Sequence, residues 1–133
     1  MSRALQILNK ARELVAENWC TGITAQDAKG GKVHNYSPDA AKFPVYAAID
    51  AAFCSPVHCA SLEDKYDERW GKAHERAKGV VSAAAKQLRG KKAIVEFISD
   101  EGQEQALELL DTTIGMVKST DAKRSLTALA PKH

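Results

Sequence analysis

The most constraining feature of this chain is a run of residues, Leu62, Tyr66, Trp70, Ala73, Ala77, Val80, Ala84 and Leu88, separated by three or four positions throughout. That spacing keeps every member on one side of a 3.6-residue helix and on no single face of a strand. It predicts one helix from about 62 to 89, with Ser61 as its N-cap and Asp64 three residues on. An apolar stripe of this length needs other apolar faces to cover it, so the chain must supply further elements that pack on it. Small Ala73, Ala77 and Ala84 favour close approach. Gly71 and Gly79 each cost about 1 kcal/mol relative to Ala inside a helix, which predicts either a closely packed backbone or a bend there.

The first segment repeats the helical pattern. Ala4, Leu8, Ala11 and Val15, flanked by Ile7 and Leu14, face one way, and Arg3, Lys10, Arg12, Glu13 and Glu17 the other, so residues 2–18 read as an amphipathic helix. From Trp19 the period changes. WCTGITAQ and KVHNY flank DAKGGK, whose glycines can take positive φ, and residues 20–35 read as a β-hairpin. Ser37, Pro38 and Asp39 form a helix-start signal, predicting a helix from 38 that bends or restarts at Pro44. Val45, Ile49, Ala52 and Phe53 are the buried stripe of its second part. CSPVHCAS, 54–61, reads as a loop.

After Gly90, Ile94, Val95, Phe97 and Ile98 suggest one further short strand. Asp100 with Gln103 caps a last helix whose buried positions are Leu107, Leu110, Ile114 and Val117. KSTDAKRSLTALAPKH is polar and basic and reads as a tail. The expectation is therefore an α+β fold: about four helices, a β-hairpin and room for one short strand, with a single domain over 1–117 and a tail over 118–133. A chain of 133 residues has room for one domain. Polar residues break every apolar stretch near the N-terminus, so neither a secretory core nor a membrane span is expected there, and a cytoplasmic protein is.

The candidate chemistry is sparse. Cys54, His58 and Cys59 share a loop, and Cys20 and His34 lie on the predicted hairpin arms. A thiol and an imidazole can serve as nucleophile and base, and the same types bind zinc. However, a structural zinc site usually shows two short-spaced pairs, and three cysteines more often pack than react. No catalytic residue, metal or cofactor is expected. Glu63, Asp64, Asp67 and Glu68 are balanced at helical spacing by Lys65, Arg69, Lys72, Arg76 and Lys78, the pattern of a solvated face. The net charge of +2 conceals a separation, since residues 93–111 carry six acids and no base. Lys86, Arg89, Lys91 and Lys92 precede that segment, and Lys118, Lys123, Arg124 and Lys132 follow it. Glu101, Glu104, Glu108, Arg89, Lys91, Lys92, Lys123 and Arg124 are accordingly the candidate partner-binding residues.

Trp19 and Gly22, then Ala25, Asp27, Ala28, Gly30 and Val33, then Pro38, Asp39 and Ala40, and later Leu109, Leu110 and Asp111 follow a recognisable order. The chain resembles an uncharacterised family of small phage and bacterial hypothetical proteins over most of residues 4–115. It departs where that family carries an aromatic, a Cys and Gly-Ala, having Phe43, Pro44, Val45, Tyr46, Ala47 and Ala48 instead. It also has Phe97, Ile98, Ser99 and Asp100 in place of Trp-Asn-Asp. The resemblance implies a phage connection and no mechanism. The expected function is that of a non-enzymatic phage accessory protein that binds a host or phage protein and inhibits a host defence or process. A virion component and a small nucleic-acid-binding protein are the alternatives, and no membrane partner is expected.

Overall fold

The computed structural model describes residues 2–55, 57–60, 68–90 and 102–129, with the side chains of 125–129 set aside. Four helices occupy them: α1 (Arg3–Glu17), α2 (Val45–Cys54), α3 (Glu68–Arg89) and α4 (Gln103–Leu129). No strand is present among the described residues, so the fold is all-helical and the α+β expectation is corrected. None of the helices is long and apolar enough to cross a membrane among those residues.

α1 starts where Ser2 accepts the Leu5 N–H, within one residue of the boundary predicted from periodicity. It packs against all three other helices through Ala4, Leu5, Ile7, Leu8, Ala11, Leu14 and Val15. α4 runs antiparallel to it. Arg12 pairs with Asp111, and Gln103 Nε2 donates to the Val15 and Ala16 carbonyls, which lie at the helix end where no N–H of the same helix reaches them. α3 contributes Trp70, Ala73, Ala77, Val81, Ala84 and Ala85, and α4 Ala106, Leu109, Leu110, Thr113, Ile114 and Val117. Leu110, Ile114 and Val117 are buried as the spacing predicts, while Leu107 is only half-buried and Ala106 and Leu109 fill the start of the stripe. α2, apolar nearly all round, sits against α1 and α3.

The predicted hairpin fails for a local reason. At its tip, Asp27 N–H donates to the Gly31 carbonyl (2.8 Å) and Val33 N–H to that of Ala25 (3.0 Å), around one bridge between Gln26 and Lys32. Gly30, at φ 87°, supplies the turn. The first arm then leaves the second, because Gly22 at φ 109° redirects the chain and Trp19 bridges to Phe43 instead. Gln26 divides its pairing between Lys32 and Lys42, so no ladder propagates.

Of the helix expected from 38, the part before Pro44 is absent, while the restart at Pro44 holds as α2. Ser37 Oγ accepts the Asp39 N–H (3.1 Å) and its carbonyl accepts that of Ala40 (3.1 Å), which makes a turn. The N–H groups of Ala41 and Lys42 go to Gln26 O and that of Phe43 to Asn18 O, so none remains for a helical ladder. Pro44 instead precedes α2 as its N-cap, where a missing N–H costs nothing. At the other end, α4 does not stop near 117. It continues through Leu129, with Arg76 Nη2 donating to Asp121 at 2.8 Å. The expected strand after Gly90 and the Ser61 and Asp100 caps lie outside the described residues.

Candidate functional site

α2 reads VYAAIDAAFC, and its one charged residue, Asp50, is 8% exposed. A carboxylate there must be paired or neutral. It is paired three times: His74 Nε2 lies 2.7 Å and Lys78 Nζ 2.8 Å from Oδ1, and Asn35 Nδ2 donates to Oδ2 at 3.0 Å. Burial pushes the Asp50 pKa up, but the hydrogen bonds from His74, Lys78 and Asn35, with the Lys78 charge, outweigh it and hold the carboxyl below its ordinary value. His74 and Lys78 are four residues apart on α3 and so share a face. His74 stacks on Phe53 (4.3 Å, 13°), and Lys78 lies 5.7 Å over Tyr46, whose hydroxyl is 3.3 Å from that of Ser82.

Asn35 carries this charge centre into the chain between α1 and α2. Its Oδ1 accepts the N–H of fully buried Ala25 at 2.9 Å while its amide holds Asp50. This side chain thus ties residues 18–44 to α2, beside the burial of Ala25, Ala40 and Phe43 in the core. Within that segment Asp27 Oδ1 accepts the Lys29 and Gly31 N–H groups, and fully buried Phe43 anchors the far end. The result is an ordered platform without regular secondary structure. On its rim Ile23 is 52% exposed.

The residues singled out from sequence are placed elsewhere. His58 Nε2 lies 3.1 Å from the Ala40 carbonyl and its ring meets Phe43 edge-on at 5.1 Å, so it is a packing residue. Cys54 and Cys59 are free and half-buried, and no three metal-ligating side chains converge among the described residues. Cys20 is buried. Burial raises its pKa against the opposing charge of Lys42, which disfavours the thiolate a nucleophile needs. His34 accepts the Tyr36 N–H at Nδ1. Glu104 and Glu108 are exposed near the start of α4, Lys123 and Arg124 near its end, and Arg89 at the end of α3. The structure therefore separates the acidic and basic candidates along α4 and does not gather them into one patch. Glu101, Lys91 and Lys92 lie outside the described residues.

Asp50, Asn35, His74 and Lys78 were not candidates from sequence, although a lone acid within an apolar helix was the available signal. A family model described as a family of unknown function (DUF6197) matches residues 1–116. The chain belongs to that family. No curated protein and no solved structure matches it. The expectation of an uncharacterised family therefore holds, and the matched region takes in the Asp50 centre, the platform and most of the packed part of α4.

Proposed function

We propose that this protein is a non-enzymatic binding protein that holds a protein partner on the platform formed by residues 18–44. The observation that carries this reading is the platform itself. Connections longer than ~12–15 residues without secondary structure are uncommon in compact domains and usually serve function, and this one is about twice that length. Its base is fastened by Asn35 and Asp50 while Ile23 stands exposed at the rim. Rigid scaffolds presenting ordered loops bind at low entropic cost, because the loop is already in place.

The motif residues from Trp19 to Ala40 lie in this segment, and several shape it: Gly22 and Gly30 by positive φ, Asp27 by holding the turn, Ala25 and Ala40 by burial. The resemblance to small phage and bacterial proteins supports a phage accessory role, with a host protein as partner and inhibition of a host process as outcome. Glu104 and Glu108 at one end of α4, and Lys123 and Arg124 at the other, add long-range steering. A tagged chain used as bait in host lysate recovers one stoichiometric protein on this reading. Recovery of none counts against it.

A further inference from the structure

Resting on that reading, we infer that the rim of the platform receives an acidic, extended peptide segment with an apolar anchor side chain. Thr21, Gly22, Ile23, Thr24, Gln26 and Lys32 line a groove of about 400 Å³, within the ~300–1,000 Å³ of ordinary ligand sites. Three features of this groove are independent of one another. Thr21 to Thr24 form no hydrogen bond within the described residues, so four successive backbone units present unused donors and acceptors. Ile23 stands among them as a large apolar side chain, 52% exposed. Lys32 lines the groove and Lys42 pairs with Gln26 beside it, and neither forms an ion pair within the described residues, while the neighbouring Asp27 accepts the Lys29 and Gly31 amides through Oδ1.

Backbone groups without partners fit a peptide main chain, which supplies the matching donors and acceptors in extended form. An apolar contact on Ile23 supplies the anchor, and the lysines select carboxylates over cations. Gly22 sets the presentation. Its φ of 109° turns the chain outward, and a Cβ there would meet nothing within 4 Å, so the glycine serves conformation and not clearance.

Titration of the ¹⁵N-labelled full chain with the peptide Ac-Asp-Glu-Leu-Asp-Glu-NH₂ tests this by amide chemical-shift mapping. Perturbations confined to 21–26 and 32, weakened about tenfold or more by Ile23→Asp and by Lys32→Glu, are expected. The same peptide with Gly for Leu, and Ac-Lys-Lys-Leu-Lys-Lys-NH₂, should bind about tenfold more weakly. Both substituted positions are exposed, and the unperturbed remainder of each spectrum verifies the fold. Equal shifts with the basic peptide, tighter binding of a dT12 oligonucleotide at the same residues, or no shift in this segment would overturn the inference. A lysate partner retained equally by Ile23→Asp also overturns the groove while leaving the binding reading intact, whereas an empty bait removes that reading itself.

Discussion

At Asp50 the carboxylate is worth more than any single one of its partners. Asp50→Ala leaves the Asn35 amide and the His74 ring nitrogen without their acceptor, and it should lower unfolding free energy by about 1–3 kcal/mol in urea titrations, the scale for a buried polar group left unsatisfied. Lys78→Met should cost under about 1 kcal/mol, because that side chain is 39% exposed and solvent screens its charge. The folded carboxyl titrates below an unfolded aspartate. Its contribution is therefore present above the unfolded pKa, near 3.9, and lost as pH falls through the lower folded value. Wild-type stability should drop with acid below about pH 4, and Asp50→Ala should lose that part of the slope. Asn35→Asp sharpens the test, since the new carboxylate still accepts the Ala25 N–H but faces Asp50. Repulsion raises its folded pKa, so the deficit against wild type should be largest at neutral pH and shrink toward pH 5 as it protonates and can donate to Asp50. Asp50 was legible in the sequence as a lone charge in VYAAIDAAFC, but its partners were not. Asn35 lies 15 residues before it and His74 24 after, and only tertiary packing brings them together.

Periodic segments were the legible elements. α1 and the body of α3 follow their apolar spacing, since burial of one face decides a helix whatever surrounds it. The hairpin expected over 20–35 does not form because Thr, Ile and Tyr favour strands only where a partner runs alongside, and Gly22 turns the first arm away from the second. The tail reading of 118–133 fails for the opposite reason. Polarity alone does not stop a helix: between Gly115 and Pro131 no breaker interrupts the sequence, and Asp121 is tied to Arg76. Close packing does not account for the glycines of the helices. An added Cβ at Gly71, Gly79 or Gly115 would meet nothing within 4 Å, so no neighbouring backbone requires them. Gly79→Ala and Gly115→Ala should each stabilise the protein by about 0.4–1 kcal/mol through the unfolded state, read as a rise in thermal midpoint, and the two should add.

Across the whole molecule, three long helices carry most of the core, while α2 and the platform divide the remaining work. α2 supplies the buried carboxylate, and the platform converts that charge centre into a held surface. Net charge conveyed none of this, because +2 sums an acidic stretch in and before α4 with basic groups on either side. The central claim is that residues 18–44 are rigid at the base and open at the rim. Residue-resolved amide hydrogen exchange reads both properties at once. Slow exchange at Ala25, Asp27, Val33 and Phe43, near free-chain rates at Thr21 to Thr24, and loss of the Ala25 protection in Asn35→Ala with α1 unchanged is the predicted result. Rapid exchange throughout 18–44, or Thr21 to Thr24 protected as strongly as Ala25, would contradict it.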